Sequence, residues 1–523
     1  MDKRTWIAVA LGLLVFVGWQ QFFGPKPDTA PSNEVEQAIT PVQNNAPEEN
    51  APFAETSAGL PVKKETISVT SGELVLTNEF LLMSDWKLAR YHVSREADAP
   101  SVSLDRVTQV ARAVEMNFDR ADLLYLKNVR GQLTQEGNQY TWAYEDARVS
   151  IRKVFVTEPA SPYFQLSISA DFKKDPPRFA FLSVRGKNLP DDPDAQFRKL
   201  EYYTDKAVVP ILLSSEILTS EIKTPIKWIG LSSRYFLFSL IPEQPSPEGF
   251  IQSFNGPKSG DARIGMSFPL TTEGKLRQSV RVFFGPKEIS LLKSVEPTLD
   301  LVVDFGWFSW VGYFLLTVMN TLFGIVKNYG VAIILITIIL KIVTFPLNYK
   351  SMKSMKAMQL INPEIQRLRE KYKKDPQKLN KEMMELMKSR GYNPMAGCLP
   401  ILVQMPVFIA LYQVLLNSVE LYQAPFAFWI QDLSIKDPYY ITPILMTVAM
   451  WGQQKLSPQP ATDPAQRRMM QLMPLIFGAF MVTLPAGLTV YMLTNVLASV
   501  IQQLILNRKL DLKPNVEVLP AKG

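Results

Sequence analysis

The chain has 523 residues, 20% of them charged and 47% hydrophobic, with a formal net charge of +7. Its one cysteine, Cys398, excludes a disulfide scaffold and a cysteine-based zinc site, and its one histidine, His92, is too few for a histidine metal cluster. Stretches 5–23, 399–419, 438–454 and 471–507 carry no Asp, Glu, Lys or Arg; runs of that length read as membrane spans and argue against a soluble cytosolic enzyme.

Asp2, Lys3 and Arg4 precede the first apolar run, and Trp19, Phe22 and Phe23 close it as an aromatic anchor. No small-residue cleavage site follows, so 1–23 reads as an uncleaved signal anchor, with a cleaved signal peptide as the alternative. Residues 24–64 hold seven prolines and one aromatic residue, Phe53, a composition that cannot bury a core and predicts a disordered linker. From 65 to 295 the pattern has period two. Phe164, Leu166, Ile168, Ala170 and Phe172 alternate with polar neighbours, as do Val149 and Ile151, and Val280, Val282 and Phe284. Alternation over such a length predicts a large all-β domain of sandwich type. Asp191, Asp192 and Asp194 cluster there, but Pro190 and Pro193 mark them as a solvated turn.

Residues 301–328 begin with a crowd of aromatics, including Trp307, Trp310 and Tyr313, and predict an amphipathic helix lying on the outer membrane surface. A further span is the rival reading. Residues 329–348 form the second span. The segment 349–398 reads as a helical hairpin, since Asn362-Pro363-Glu364 and Asp375-Pro376 are both helix-start signals. It is either a solvated coiled coil or a docking platform, with Lys353, Lys356, Arg367, Arg369, Lys373 and Lys374 as its candidate contacts. Spans follow at 399–419, 438–454, 471–484 and 486–507, with a loop at 455–470 and a short basic tail at 508–523. The fifth span, at 14 residues and about 1.5 Å each, reaches roughly 21 Å, short of a 30 Å hydrocarbon core. A helix that short must thin the bilayer or sit within a protein bundle, and several short spans together point to a locally thinned membrane.

Charge is one-sided. The hairpin sums to +7, the loop 455–468 and the tail to +2 each, and residues 24–300 to −4. Basic loops stay in the cytoplasm, so both termini and the hairpin are expected inside and the β domain outside. Every alternation closes with six spans. The basic residues are interleaved with acids, which speaks for topology rather than nucleic-acid binding.

Lys341 lies within the second span. A lysine near a span centre costs about 2.5–3.5 kcal/mol, which marks it as a candidate functional residue; snorkelling toward the cytoplasmic end is the alternative. No other span holds an acid to pair with it. The spans supply polar groups instead, among them Thr337, Gln404, Tyr491 and Asn495, which together can line a hydrated cavity. A fixed cation in a wet cavity suits a transient anionic guest, either an acidic residue of a passing polypeptide or an anionic solute. The latter makes a secondary transporter the rival function, though no internal repeat is visible. A tethered carbohydrate-active enzyme is a second rival, with only His92 to support it.

Six stretches in the C-terminal region carry a resemblance: LVVDFGW at 301–307, ILKIVTFPL at 339–347, NPMAGCLPILVQMP at 393–406, VELYQAPFAFWIQDL at 419–433, DPYY at 437–440 and PAGLTVY at 485–491. Their order and spacing resemble the YidC/Oxa/Alb family of membrane protein insertases, and the N-terminal anchor with an outer β domain resembles its Gram-negative form. The resemblance implies a polytopic α-helical membrane protein with a five-span core and a periplasmic β-supersandwich. It implies a non-enzymatic insertase and chaperone of the bacterial inner membrane, without cofactors, working alone or with the Sec translocon. Nascent membrane proteins, membrane lipids, the ribosome and targeting machinery are the implied partners, and the short tail implies weak ribosome contact. Lys341 falls where many members carry Arg, while Gln404 and Tyr491 fall at groove-facing positions.

Overall fold

The computed structural model describes residues 61–69, 71–80, 83–96, 98–110, 113–158, 161–189, 192, 194–373, 375–389, 399–456 and 464–511. The expected signal anchor 1–23, nearly all of the linker, Asp191, Cys398 and the end of the tail lie outside the described residues. The chain divides into two compact units, one ending at Val303 and the other beginning at Asp304.

The first unit is built from three antiparallel sheets. Strands Lys64–Val69, Gly72–Thr77, Met83–His92 and Ser101–Ser103 form the smallest, in chain order. A five-stranded sheet has the order Ser220–Ile222, Glu248–Ser253, Asp261–Pro269, Phe179–Lys187, Val114–Phe118. The nine-stranded sheet runs Val208–Leu212, Lys199–Tyr203, Trp228–Ser232, Phe236–Pro242, Lys275–Pro286, Tyr163–Phe172, Val149–Thr157, Gln139–Glu145, Gln132–Glu136.

The period-two pattern becomes burial directly. Phe164, Leu166, Ile168, Ala170 and Phe172 are buried while their neighbours are not. Three strands break the pattern, because Trp228–Ser232 and Phe236–Pro242 are buried at every residue and Asp261–Pro269 at every residue but the last. The first of these packs against strands of the five-stranded sheet. Behind it, the Trp228 Nε1–H donates to Thr298 Oγ1 at 3.0 Å. A strand covered on both faces has no solvent side to alternate with.

The second unit is helical. Helix α1 is Ser309–Val326 and α2 is Tyr329–Leu360; α3 (Asn362–Lys371) and α4 (Pro376–Ser389) form the hairpin. Helices α5 (Leu399–Asn417), α6 (Ile441–Leu456), α7 (Pro464–Met481) and α8 (Ala486–Asp511) complete it. Among the described residues a helix covers each segment from 309 on that was expected to be helical, with shifted ends. The helix that holds the expected second span continues beyond 348, for α2 runs on through Pro346 for 32 residues, about 48 Å. Helix α7 starts at Pro464, before the charge-free run begins, since backbone hydrogen bonds ignore side-chain charge. Its apolar part, Met469–Met481, remains short. Helix α1 is a separate element that turns into α2 at Lys327, whose backbone is left-handed (φ 53°). By length and apolar composition 306–326 is able to cross a membrane.

Helix α8 is the centre, packed most extensively on α6 and α2, with α7 outside α6. Helix α5 rests chiefly on α1 and touches α2 and α8 far less. A gap is therefore left between α2, α5 and α8.

Candidate functional site: a polar cavity between helices

On α2 the residues 341, 348, 352 and 355 share one face; on α8 the residues 491, 495, 499, 502 and 506 do the same, as helical spacing requires. These two stripes face Gln404, Met405 and Phe408 of α5 across a cavity of about 430 Å³. The structure brings together four of the five groove residues named from sequence: Lys341, Gln404, Tyr491 and Asn495. Thr337 is the exception. It is only 1% exposed, its hydroxyl donates to the Ile333 carbonyl at 2.6 Å, and it does not line the cavity. Its group is spent inside its own helix.

Lys341 reaches sideways across the gap. Its Nζ donates to Ser499 Oγ at 2.7 Å, and the Ser499 hydroxyl donates in turn to the Asn495 carbonyl at 2.7 Å. Ser499 lies near the middle of α8, so the ammonium is held in the cavity rather than drawn toward a helix end. Among the described residues lining the cavity there is no Asp or Glu. Nearby, Asn348 Nδ2 donates to Gln502 Oε1 at 3.2 Å, while Gln502 Nε2 is buried with no partner among the described residues. A buried donor without a partner calls for water or a guest. Tyr491 walls the cavity, with its ring 6.3 Å from that of Phe408.

Ser499 and Asn348 were not found from sequence. The four-residue step from Tyr491 to Asn495 to Ser499 was the available signal. Met352, Met355 and Met405 were also missed; they give the cavity adaptable apolar walls.

One end of the bundle is tied shut. The buried Asp437 carboxylate accepts from Trp429 Nε1 (3.1 Å), Tyr439 N (3.0 Å), Thr442 N (2.8 Å) and Thr442 Oγ1 (2.7 Å). Thr442 Oγ1 also meets Thr489 Oγ1 at 2.9 Å, linking the loop 418–440 to α6 and α8. Burial alone raises the Asp437 pKa, but the bonds from Thr442, Tyr439 and Trp429 outweigh it and hold the carboxyl below the usual range. At the other end the hairpin carries its charges outward. Lys353, Arg367 and Lys373 are exposed and Arg369 is half-buried. Lys374 and the Lys356 side chain lie outside the described residues.

The C-terminal unit matches the family model described as 60Kd inner membrane protein over residues 321–513, and residues 153–318 match that of the YidC periplasmic domain. The chain is 31% identical over 552 residues to a membrane protein insertase YidC of Geobacter metallireducens, covering 98% of this chain and 99% of that one. It is 48% identical over 226 residues to the membrane protein insertase YidC of Campylobacter jejuni, covering 43% of each. A crystal structure of an active YidC insertase, with its first transmembrane domain resolved, is 18% identical with a TM-score of 0.37, covering 97% of this chain and 99% of that chain. With nearly its whole length matched, the chain belongs to the YidC family, the membrane protein insertases of the bacterial inner membrane.

Proposed function

We propose that the cavity holds a polar segment of a newly made membrane protein partway across the bilayer, and that Lys341 attracts its acidic residues. The observation that carries this reading is an ammonium fixed at Ser499 in a polar cavity whose described lining offers no carboxylate. A polar segment entering hydrocarbon loses water from every backbone group and charge, at several kcal/mol each. The side-chain amide groups of Gln404, Asn495 and Gln502 replace part of that hydration. The guest's apolar span meanwhile slides into lipid along α5 and α7. Leu472, Leu475 and Ile476 of α7 are exposed and apolar, which suits that role.

In this reading the termini and the hairpin α3–α4 are cytoplasmic, and the β unit and the loop 420–437 are periplasmic. Helix α1 lies on the outer surface, leaving six spans. Exposed Lys353, Arg367 and Lys373 receive the ribosome, the targeting machinery or the nascent chain. The protein inserts newly made membrane proteins and assists their folding, alone or with the Sec translocon.

The test is insertion of a single-span protein with an acidic outer tail into proteoliposomes containing only this protein, read by protease protection. Wild type and Lys341→Arg protect the tail. Lys341→Ala lowers protection about tenfold, the equivalent of roughly 1.4 kcal/mol, and Lys341→Glu abolishes it. Equal protection by all four chains removes the charge from the mechanism.

A further inference from the structure

The β unit has a cavity of its own, about 340 Å³, over the outward face of the five-stranded sheet. Its floor is aromatic. Phe250 stands opposite Gly265 on the neighbouring strand, and a Cβ at 265 would come within 2.4 Å of the ring. Glycine at that position lets the ring lie down against the sheet. Phe181 meets Phe250 edge-on, with centroids 5.4 Å apart and planes at 86°. Both rings are half-buried, so a face remains for a ligand.

Polar groups stand around this floor. Arg263 is buried, donating to Glu115 Oε2 at 2.7 Å and to Gln252 Oε1 at 2.8 Å, with its guanidinium carbon 5.6 Å from the Phe250 ring centroid. Holding Gln252 by its oxygen orients the amide and leaves its two N–H groups for another acceptor. Glu248 and Arg178 line the same cavity, and neither side chain makes a hydrogen bond or ion pair among the described residues. The charges of the lining balance: three cations, Lys127, Arg178 and Arg263, against three acids, Asp119, Glu221 and Glu248.

A balanced lining gives no net field to select an anion or a cation. A flat aromatic surface takes up a C–H face, and planar groups that both donate and accept match paired hydroxyls. An extended peptide instead adds to a free strand edge through its backbone, whereas this cavity is centred on a sheet face with Phe181 and Phe250 on inner strands. We propose that this cavity binds an uncharged saccharide of roughly one or two rings, stacked on Phe250 and Phe181 and hydrogen-bonded by Gln252, Glu248 and Arg178.

The test uses the full chain in lipid nanodiscs and saturation-transfer NMR, with galactose, glucose, lactose, maltose and an uncharged hexapeptide as probes. Transfer to the ring C–H protons of at least one sugar is expected. Gln252→Ala and Phe250→Ala each weaken it fivefold or more, and Phe250→Trp, which preserves a stacking face, retains it. The Gln252→Ala chain takes the acceptor from the buried Arg263 Nε–H and so unfolds at a somewhat lower temperature, but it keeps its insertion activity, which separates this site from the groove. The assignment is overturned by no transfer to any of the four sugars, by transfer to the peptide alone, or by undiminished transfer in the Gln252→Ala chain.

Discussion

Ser499 decides where the charge of Lys341 stands. Its hydroxyl accepts from the ammonium and donates to its own helix, so it cannot swing away without losing both bonds. Ser499→Ala frees the lysine to find water elsewhere and is expected to lower insertion of an acidic-tailed substrate about threefold to tenfold, or about 0.7–1.4 kcal/mol, the net worth of one ordinary hydrogen bond because water replaces the serine. Ser499→Thr keeps the hydroxyl and the activity. A neutral-tailed substrate separates positioning from general damage, because it is unaffected by a shift of charge but not by a disturbed bundle. A second lysine shows what burial does without such a purpose. Lys153 is 3% exposed on the core face of its strand, its Nζ donating to the Phe80 carbonyl and lying 3.6 Å from the Phe80 ring centroid. Burial pushes its pKa down to about 7. The unfolded chain keeps the usual lysine value of about 10.4. Between those values the unfolded state holds a proton that the folded state lacks, so stability rises with pH from about 7 to 10. Lys153→Met removes the dependence. It is expected to stabilise the chain by about 1–3 kcal/mol at pH 7, with the advantage shrinking by pH 9.5 in chemical denaturation.

Elements are joined here by small polar devices that local patterns do not reveal. The Asp437 carboxylate ties the loop to α6, and through Thr442 to α8. Asp437→Ala leaves several donors unpaired and is expected to cost about 2–4 kcal/mol, seen as a lower unfolding temperature. The Asp437 pKa is lowered in the fold, so its contribution is present above the unfolded value of about 3.9 and is lost as pH falls through the folded value. Between pH 6 and 8 the deficit of the alanine chain should therefore stay constant. The strands were legible from alternation wherever one face meets water, as in Tyr163–Phe172. They were not legible that way at Trp228–Ser232, where both faces are covered. Lys153 shares the parity of Val149, Ile151 and Phe155, and only the folded core shows that a lysine is tolerated there. In the cavity the polar residue types were visible in each span. The pairing of Lys341 with Ser499, 158 positions apart, depends on how α2 packs on α8 and no local pattern encodes it.

At the scale of the whole molecule the connectivity constrains α1. Asn328, just after it, donates to the Phe426 carbonyl at 2.8 Å, so the α1–α2 corner sits beside the loop 418–440. That loop also bonds the start of α8, through Ala486 N to Ile435 O and Gly487 N to Leu433 O. The α1–α2 corner, the end of α5, the start of α6 and the start of α8 therefore lie at one end of the bundle. The hairpin, following α2, lies at the other. If α1 crossed the membrane, residue 304 would be on the side of the hairpin, which carries a +7 loop expected in the cytoplasm. If α1 lies flat, residue 304 is on the outer side, where the positive-inside rule expects the −4 of residues 24–300. The faces of α1 agree with a helix half in lipid and half against protein. Val311, Leu315 and Met319 are buried, while Trp310, Phe314 and Ile325 are exposed. Reporter fusions decide between the two. Alkaline phosphatase joined after Asp304 and after Lys327 is expected to be active in both cases, and a fusion after Ser389 inactive. Because the corner at 327 is outside in both readings, the Asp304 fusion is the discriminating one: an inactive enzyme there, with activity at Lys327, makes α1 a span.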